Sequence, residues 1–217
     1  MSSRPDHQQV HVVHHPLVAH RLTELRSADT GPERFRALVG ELAAMLAFEA
    51  SRTLASRPTE VITPMGVAPG ARLAAPDPLV VPVLRAGLSM LDATLGVIPT
   101  AEVALLGLRR DERTLTPSLY CDTVPPDLGG RDVFVLDPML ATGGSLSFAV
   151  SHLRARGAGR VLALCLVAAP EGLGLVTADG VGTEVWTAAV DDGLNDVGYI
   201  VPGLGDAGDR LYGPLAP

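Results

Sequence analysis

No run of lysine or arginine occurs along this chain, and its formal net charge is −7. A nucleic-acid-binding face needs clustered positive charge, so neither DNA nor RNA is an expected partner. An anionic small molecule stays open as a ligand, because a few local donors suffice for one. Cysteine is scarce too: Cys121 and Cys165 lie far apart, the second inside an apolar run. That pattern excludes a disulfide scaffold and fits a reduced, cytoplasmic protein. No apolar stretch reaches the roughly 18 residues that a membrane-spanning helix requires. The polar N-terminus lacks the apolar core of a signal peptide, so a soluble protein with no membrane partner is expected. Aromatic residues make up only 4% of the 217 residues, whereas Ala, Val, Leu and Gly abound. With 47% apolar and 19% charged residues, the composition suits one ordered α/β domain built on a Val/Leu-rich sheet.

What is present divides the single domain into three stretches. Residues 1–78 read as an N-terminal arm with helices. Five of the six histidines stand in the first twenty residues, at His7, His11, His14, His15 and His20. Their spacing offers no convergent set with a carboxylate or cysteine, so an extended segment with surface histidines is expected rather than a metal site. From Pro32, the residues Phe35, Leu38, Val39, Leu42, Met45 and Leu46 recur at helical spacing, predicting a helix to about Leu54. Residues 56–78, rich in Pro and Gly, read as loop with one short hairpin around Val61 and Ile62.

Residues 79–195 carry the regular pattern. Short apolar runs at 79–84, 103–108, 133–136, 161–167 and 184–190 alternate with helical stretches, notably 88–95, 146–156 and 171–178. This predicts a mostly parallel central sheet flanked by helices, with residues 112–130 leaving the sheet as a β-rich flap or hood. The runs end at Arg85, Arg109-Arg110, Asp137 and Asp191-Asp192. Ligands of open α/β sheets bind at the carboxyl ends of strands, so these endings mark one candidate site. Residues 196–217 form a Gly-rich C-terminal loop.

The most informative stretch is Asp137-Pro138-Met139-Leu140-Ala141-Thr142-Gly143-Gly144-Ser145. An apolar strand delivers an acidic side chain to its tip, and a small-residue turn then opens a helix. Without side chains at Gly143 and Gly144, backbone N–H groups can close on a phosphate, joined by the Thr142 and Ser145 hydroxyls. The carboxylate can accept from sugar hydroxyls or meet a phosphate-bound cation, so a phosphorylated sugar is the expected ligand. An ordinary capped turn needs only a Ser or Thr. The Gly-Lys-Ser/Thr ending of a Walker A loop is missing.

This stretch resembles the 5-phosphoribosyl 1-diphosphate (PRPP) loop of type I phosphoribosyltransferases, and the Pro at position 138 is similar to the uracil branch of that family. Three further stretches agree: Val81-Pro-Val-Leu-Arg-Ala-Gly-Leu88, Leu166-Val-Ala-Ala-Pro-Glu-Gly172 and Gly198-Tyr-Ile-Val-Pro-Gly-Leu-Gly-Asp-Ala-Gly-Asp-Arg210. The N-terminal Val10-His-Val-Val-His-His-Pro-Leu17 also fits, so the resemblance runs from about Val10 to Gly213. It implies catalytic roles for Arg85, Arg110 and Asp206, and PRPP binding by these three together with 137–145. Ile200, Gly205, Asp206 and Ala207 match the uracil-binding stretch, where main-chain groups on a Gly-rich loop can pair with the imide edge of a pyrimidine. Mg²⁺ is implied as a cation carried mainly by PRPP, near Asp206, with no direct protein metal site. The resemblance further implies a homo-oligomer, dimer or larger, and GTP as an allosteric effector in some members.

The implied reaction is pyrimidine salvage: pentosyl transfer from PRPP to uracil, giving UMP and diphosphate. Its oxocarbenium-like transition state calls for no protein nucleophile, and none stands out. One departure is visible. Tyr120-Cys-Asp-Thr-Val-Pro125 puts Thr123 where the family carries a lysine, a change expected to weaken PRPP binding or slow flap closure. Ser89, in place of a frequent glycine, is expected to matter little. The alternatives are a purine or orotate transferase, a PRPP-binding regulator that would need a basic stripe, and a catalytically weakened paralogue.

Overall fold

The computed structural model describes residues 9–110, 117–178 and 183–213, without the side chains of Arg110 and Pro117. His7 therefore lies outside the described residues. Strand β1 (Val10–Val12) leads into helix α1 (Pro16–Arg26), then α2 (Pro32–Ala50), which a 3-10 turn extends to Thr53. A hairpin follows, β2 (Ser56–Thr63) and β3 (Gly66–Leu73). Strand β4 (Leu79–Leu84) passes through a 3-10 turn (Ala86–Met90) into α3 (Leu91–Val97). Next come β5 (Glu102–Val103), β6 (Leu106–Arg110), β7 (Pro117–Asp122), β8 (Val133–Leu136) and β9 (Met139–Leu140). The chain continues through α4 (Gly144–Ala155), β10 (Val161–Ala168), α5 (Pro170–Val176) and β11 (Thr183–Val190). It ends with β12 (Gly193–Leu194), β13 (Ile200–Val201) and α6 (Ala207–Tyr212).

The central sheet runs in the order β1-β11-β10-β8-β4-β6-β7, with β5 beside β4 and β9 beside β10. Every pairing is parallel except the last, where β7 returns antiparallel along β6. Alternation along the strands divides the core into two layers. Val80, Phe134, Leu136, Leu162 and Leu164 face one way, towards α1, α2 and α6. Leu79, Val81, Val133, Val135, Val161 and Ala163 face the other, towards α4 and α5. All eight residues of β10 are buried, because that strand lies in mid-sheet with both faces covered. Helix α2 forms where the heptad-like apolar spacing put it, with Pro32 in its first turn and Phe35, Leu38, Val39, Leu42 and Leu46 fully buried.

Three elements differ from the sequence reading. The segment after β1 is helical from Pro16: the His15 ring accepts from Leu17 N at 3.1 Å, and only Val18, Leu22 and Leu25 are buried. Three buried positions in eleven residues give a weak periodic signal. Residues 56–73 form a full eight-by-eight hairpin rather than a short one. Its side chains are mostly exposed, Ile62, Met65 and Val67 strongly so, and Pro58 and Pro69 sit inside its strands. A ribbon with neither face buried shows no alternation, which hides it from pattern reading. The C-terminal loop contributes β13, paired with β12 just before it, and helix α6. No described helix is long and apolar enough to cross a membrane.

Candidate functional site

The carboxyl ends of β4, β8, β10 and β11 meet on one edge of the sheet, and the 137–145 loop lies among them. Asp137 N donates to Leu164 O at 3.2 Å, continuing the β8–β10 ladder past Leu136. Pro138 O then accepts from Leu166 N at 3.0 Å, and β9 pairs Met139 and Leu140 with Val167 and Ala168. Pro138, with no N–H to lose, fits a position where only its carbonyl joins the ladder. The loop is thereby sewn to β10 up to Ala141. Gly143 follows in the left-handed region at φ 82° and serves as N-cap of α4. Its missing side chain leaves the first turn of α4 without a side-chain cap. These groups border a cleft of about 140 Å³ lined by Asp137, residues 139–145 and Leu146.

The cradle is backed from below. A Cβ on Gly172, at the start of α5, would lie 2.3 Å from Ala141 O, and one on Gly143 would lie 2.9 Å from Gly172 O. Main chain thus packs against main chain where the loop turns, and neither position has room for a side chain. Glu171, the preceding residue, accepts from Leu194 N at 3.2 Å, which ties α5 to the β12–β13 ladder.

Asp137 faces into this region. Burial lifts its carboxyl to about 7, against the opposing effect of the Met139 N–H, which donates to it at 3.3 Å. The neighbouring Cys165 thiol is pushed up as well, by burial first and the Asp137 charge second. In the free protein Asp137 therefore titrates near neutrality, and a cation or a donor hydroxyl beside it would favour the ionised form.

Arg85 ends β4 and begins the Ala86–Met90 turn, with an exposed side chain. Among the described residues its guanidinium has no hydrogen-bond or ion-pair partner, so the cation is available to an anion. The turn is held tightly, since a Cβ on Gly87 would lie 2.1 Å from Leu136 O. Tyr212 Oη donates to Arg85 O at 3.4 Å, bringing α6 to the same edge. Arg110 closes β6, but its side chain lies outside the described residues.

The C-terminal segment also reaches the cradle: a Cβ on Gly198 would sit 4.0 Å from the Thr142 methyl. Asn195 organises that tip, accepting at Oδ1 from Val197 N and Tyr199 N at 3.1 and 2.9 Å. Ile200 is buried and pairs with Leu194. Gly205 turns at φ 80°. Asp206 is the N-cap of α6, its Oδ1 accepting from Asp209 N at 2.9 Å, and Ala207 is buried behind it. One carboxylate oxygen of Asp206 is thus engaged in capping, and no bond among the described residues joins it to the 137–145 loop.

Sequence reasoning missed the supports. Asp191 at the end of β11 binds Arg26 and Gly203 N, and Arg210 donates to Leu25 O and Leu204 O at 2.8 Å each while stacking over Phe35. Asp191 carried a signal, being a strand ending. Arg26 and Arg210 carried none, because the Asp191 carboxylate and the Gly203 and Leu25 carbonyls that they bind are distant in sequence. Thr123 makes a local pair of bonds, in which its Oγ1 accepts from Leu105 N at 2.7 Å while Thr123 N donates to Leu105 O at 3.0 Å. The residue standing in place of lysine thus secures the return of the flap strand to the sheet. Among the described residues no group of three or more His, Cys, Asp or Glu side chains could hold a metal ion.

The chain is similar to known proteins over nearly its whole length. The family model described as uracil phosphoribosyltransferase matches residues 12–214. A uracil phosphoribosyltransferase of Kineococcus radiotolerans is 57% identical over 205 residues, covering 93% of this chain and 97% of that protein. One of Streptomyces coelicolor is 53% identical over 207 residues, covering 94% and 98%. Among solved structures, the AQ2163 protein from Aquifex aeolicus superposes with a TM-score of 0.88 at 40% identity, covering 94% of this chain and 98% of that one.

Proposed function

The chain belongs to the uracil phosphoribosyltransferase family, and from that premise we propose how its residues carry out pentosyl transfer. The enzyme transfers the 5-phosphoribosyl group of PRPP to uracil, forming UMP and diphosphate. The observation that carries the assignment of residues is the uncapped start of α4, reached through Gly143 and Gly144, beside the ionisable Asp137.

The 5-phosphate fits the cradle of residues 141–145, where N–H groups, hydroxyls and the positive end of α4 converge. Asp137 suits the ribose hydroxyls as an acceptor. Arg85, a cation at the next strand end with no partner among the described residues, suits the diphosphate, whose charge grows as the C1–O bond breaks. We assign Arg110 the same role and Asp206 a contact to PRPP. Uracil falls to the main chain around Ile200 and residues 205–207, where an acceptor–donor–acceptor edge can be matched without charged side chains. A base with a different edge would leave buried groups unpaired.

The N1–C1 bond forms as the C1–O bond to diphosphate breaks, and the uracil N1 proton passes to the departing diphosphate or to water. No side chain needs to attack, so rate comes from positioning and charge stabilisation. Mg²⁺ belongs to this scheme as a cation arriving on PRPP, and it would neutralise the diphosphate. A cation so delivered needs only one or two hard protein oxygens, which the Asp137 carboxylate and the second oxygen of Asp206 could supply. GTP as an effector, a homo-oligomer of two or more chains and a cytoplasmic location complete the proposal, each resting on family resemblance.

The test is formation of UMP from uracil, PRPP and Mg²⁺, with cytosine, orotate and hypoxanthine as competitors. Selective UMP formation is expected. Turnover of another base in preference to uracil would overturn the assignment.

A further inference from the structure

The main chain between Ile200 and Gly205 must be held still if it reads a base through its own polar groups. The structure shows how one point of it is held. Gly203 lies in the left-handed region at φ 60°, and a Cβ there would sit 2.1 Å from Ile200 O. The conformation of Gly203 and the position of the Ile200 carbonyl are therefore coupled, and no other residue can occupy the turn without displacing that carbonyl.

Both polar groups of Gly203 are taken by one ion pair. Its N–H donates to Asp191 Oδ2 at 2.8 Å, and its carbonyl accepts from Arg26 Nη1 at 2.6 Å. Arg26 also grips the Asp191 carboxylate with both terminal nitrogens, Nη1 to Oδ2 at 2.8 Å and Nη2 to Oδ1 at 2.5 Å. The Asp191 side chain is 4% exposed and that of Arg26 23%. Asp191 ends β11 and Arg26 ends α1, so neither belongs to the segment they hold. A bidentate pair of this kind fixes direction as well as distance, because the guanidinium fork and the carboxylate are both planar.

We propose that Arg26 and Asp191 form a clamp on Gly203 that positions the base-reading main chain, and so set the affinity for uracil without touching it. This rests on the reading of residues 200–207 as the base site. The pair are positioning residues. Breaking the clamp frees Gly203, lets the Ile200 carbonyl drift, and loosens the match to the imide edge. The cradle at 141–145 is tied separately to β10 and α5, and Asp206 is anchored by its own cap on α6, so PRPP should scarcely feel the loss.

The experiment is steady-state kinetics on the full chain carrying Asp191→Asn, Arg26→Ala or Arg26→Lys. In each, the KM for uracil should rise about tenfold or more, with kcat and the KM for PRPP within roughly twofold, because binding and not chemistry is lost. Arg26→Lys keeps the charge but not the fork, so it should not rescue. The Arg26→Ala/Asp191→Asn double variant should be no worse than the worse single, as expected of two residues acting as one unit. Calorimetric binding of PRPP supplies the readout that a general weakening of the fold would move and the clamp would not. If Arg26→Ala does not fold, the two closer replacements decide. Folded variants with an unchanged KM for uracil overturn the clamp, and so does an equal rise in both KM values. Wild-type enzyme that forms no UMP sinks the base assignment and the clamp with it. Wild-type enzyme that uses uracil while the variants match it overturns the clamp alone.

Discussion

Asp122, at the foot of the flap strand, receives both terminal nitrogens of Arg156, at 3.0 and 2.5 Å, from just past the far end of the helix that the 137–145 loop opens. His152 Nε2 lies 3.0 Å from the same carboxylate, and Val124 N donates to it at 3.0 Å. The flap's return is thus fixed to the helix that follows the 137–145 loop. Burial acts to raise the Asp122 carboxyl, but Arg156, the Val124 N–H and His152 together hold it below its usual value. A lowered carboxyl contributes stability that is present above its unfolded value, near 4, and lost as the pH falls through the folded one. Arg156→Ala should cost about 1–2 kcal/mol and remove part of that acid-side loss. Thermal unfolding at pH 7 and pH 4 checks it; equal differences between wild type and variant at both pH values would contradict the account.

Gly172 offers a sharper test of the cradle. A methyl group there must push Ala141 O or the start of α5 by several tenths of an ångström, since the contact would be 2.3 Å. Gly172→Ala should raise the KM for PRPP by about tenfold or more while the KM for uracil moves little, the energy being that of a misplaced set of donors. Kinetics with each substrate varied in turn decides, and an unchanged KM for PRPP would refute the packing argument.

The Asp137 carboxyl, raised by burial to about 7, predicts two pH effects. Its folded value lies above the unfolded one, so the folded state binds the proton more tightly. The free enzyme should therefore gain stability through this group as the pH falls from about 7 towards 4, and lose it as the pH rises through 7. Asp137→Asn should flatten that slope. Conversely, PRPP with Mg²⁺ wants the ionised form, so its affinity should weaken below pH 7. Melting temperatures and calorimetric PRPP binding across pH 5.5–8 check both signs.

The layers of the fold were legible because burial on both sheet faces writes itself into the sequence as continuous apolar runs, such as 161–167. The cradle was legible because glycine between strand and helix has few other uses. The β2–β3 hairpin was not, since exposed strands with Pro58 and Pro69 carry no alternation. Helix α6 was hidden because Asp206 was read as a PRPP contact in a Gly-rich loop, whereas its carboxylate also caps the helix. The supports Arg26 and Arg210 could not be read at all. An arginine whose partners include a carboxylate or backbone carbonyls more than 160 residues away leaves no local pattern. Thr123 shows a local role that its identity alone did not announce, for its hydroxyl accepts from Leu105 N.

All 17 basic residues of this chain are arginine, with no lysine anywhere. In the proposed site, side-chain cations that meet the phosphates of PRPP are then guanidinium groups, beside the backbone N–H groups and hydroxyls of the 141–145 loop, and Arg85 is an exposed one at a strand end. Arg85→Ala should lower kcat/KM for PRPP about a hundredfold or more, the scale of one lost donor to developing charge. Its melting temperature should stay within about 2 °C, because an exposed side chain without a described partner contributes little to stability. Chemical modification gives an independent check. An arginine-selective dicarbonyl should abolish activity, and PRPP with Mg²⁺ should protect. An amine-acylating reagent, which can reach only the N-terminal amine, should leave turnover intact. Inactivation by acylation, or dicarbonyl inactivation that PRPP fails to slow, would show that the diphosphate is held by something other than these arginines.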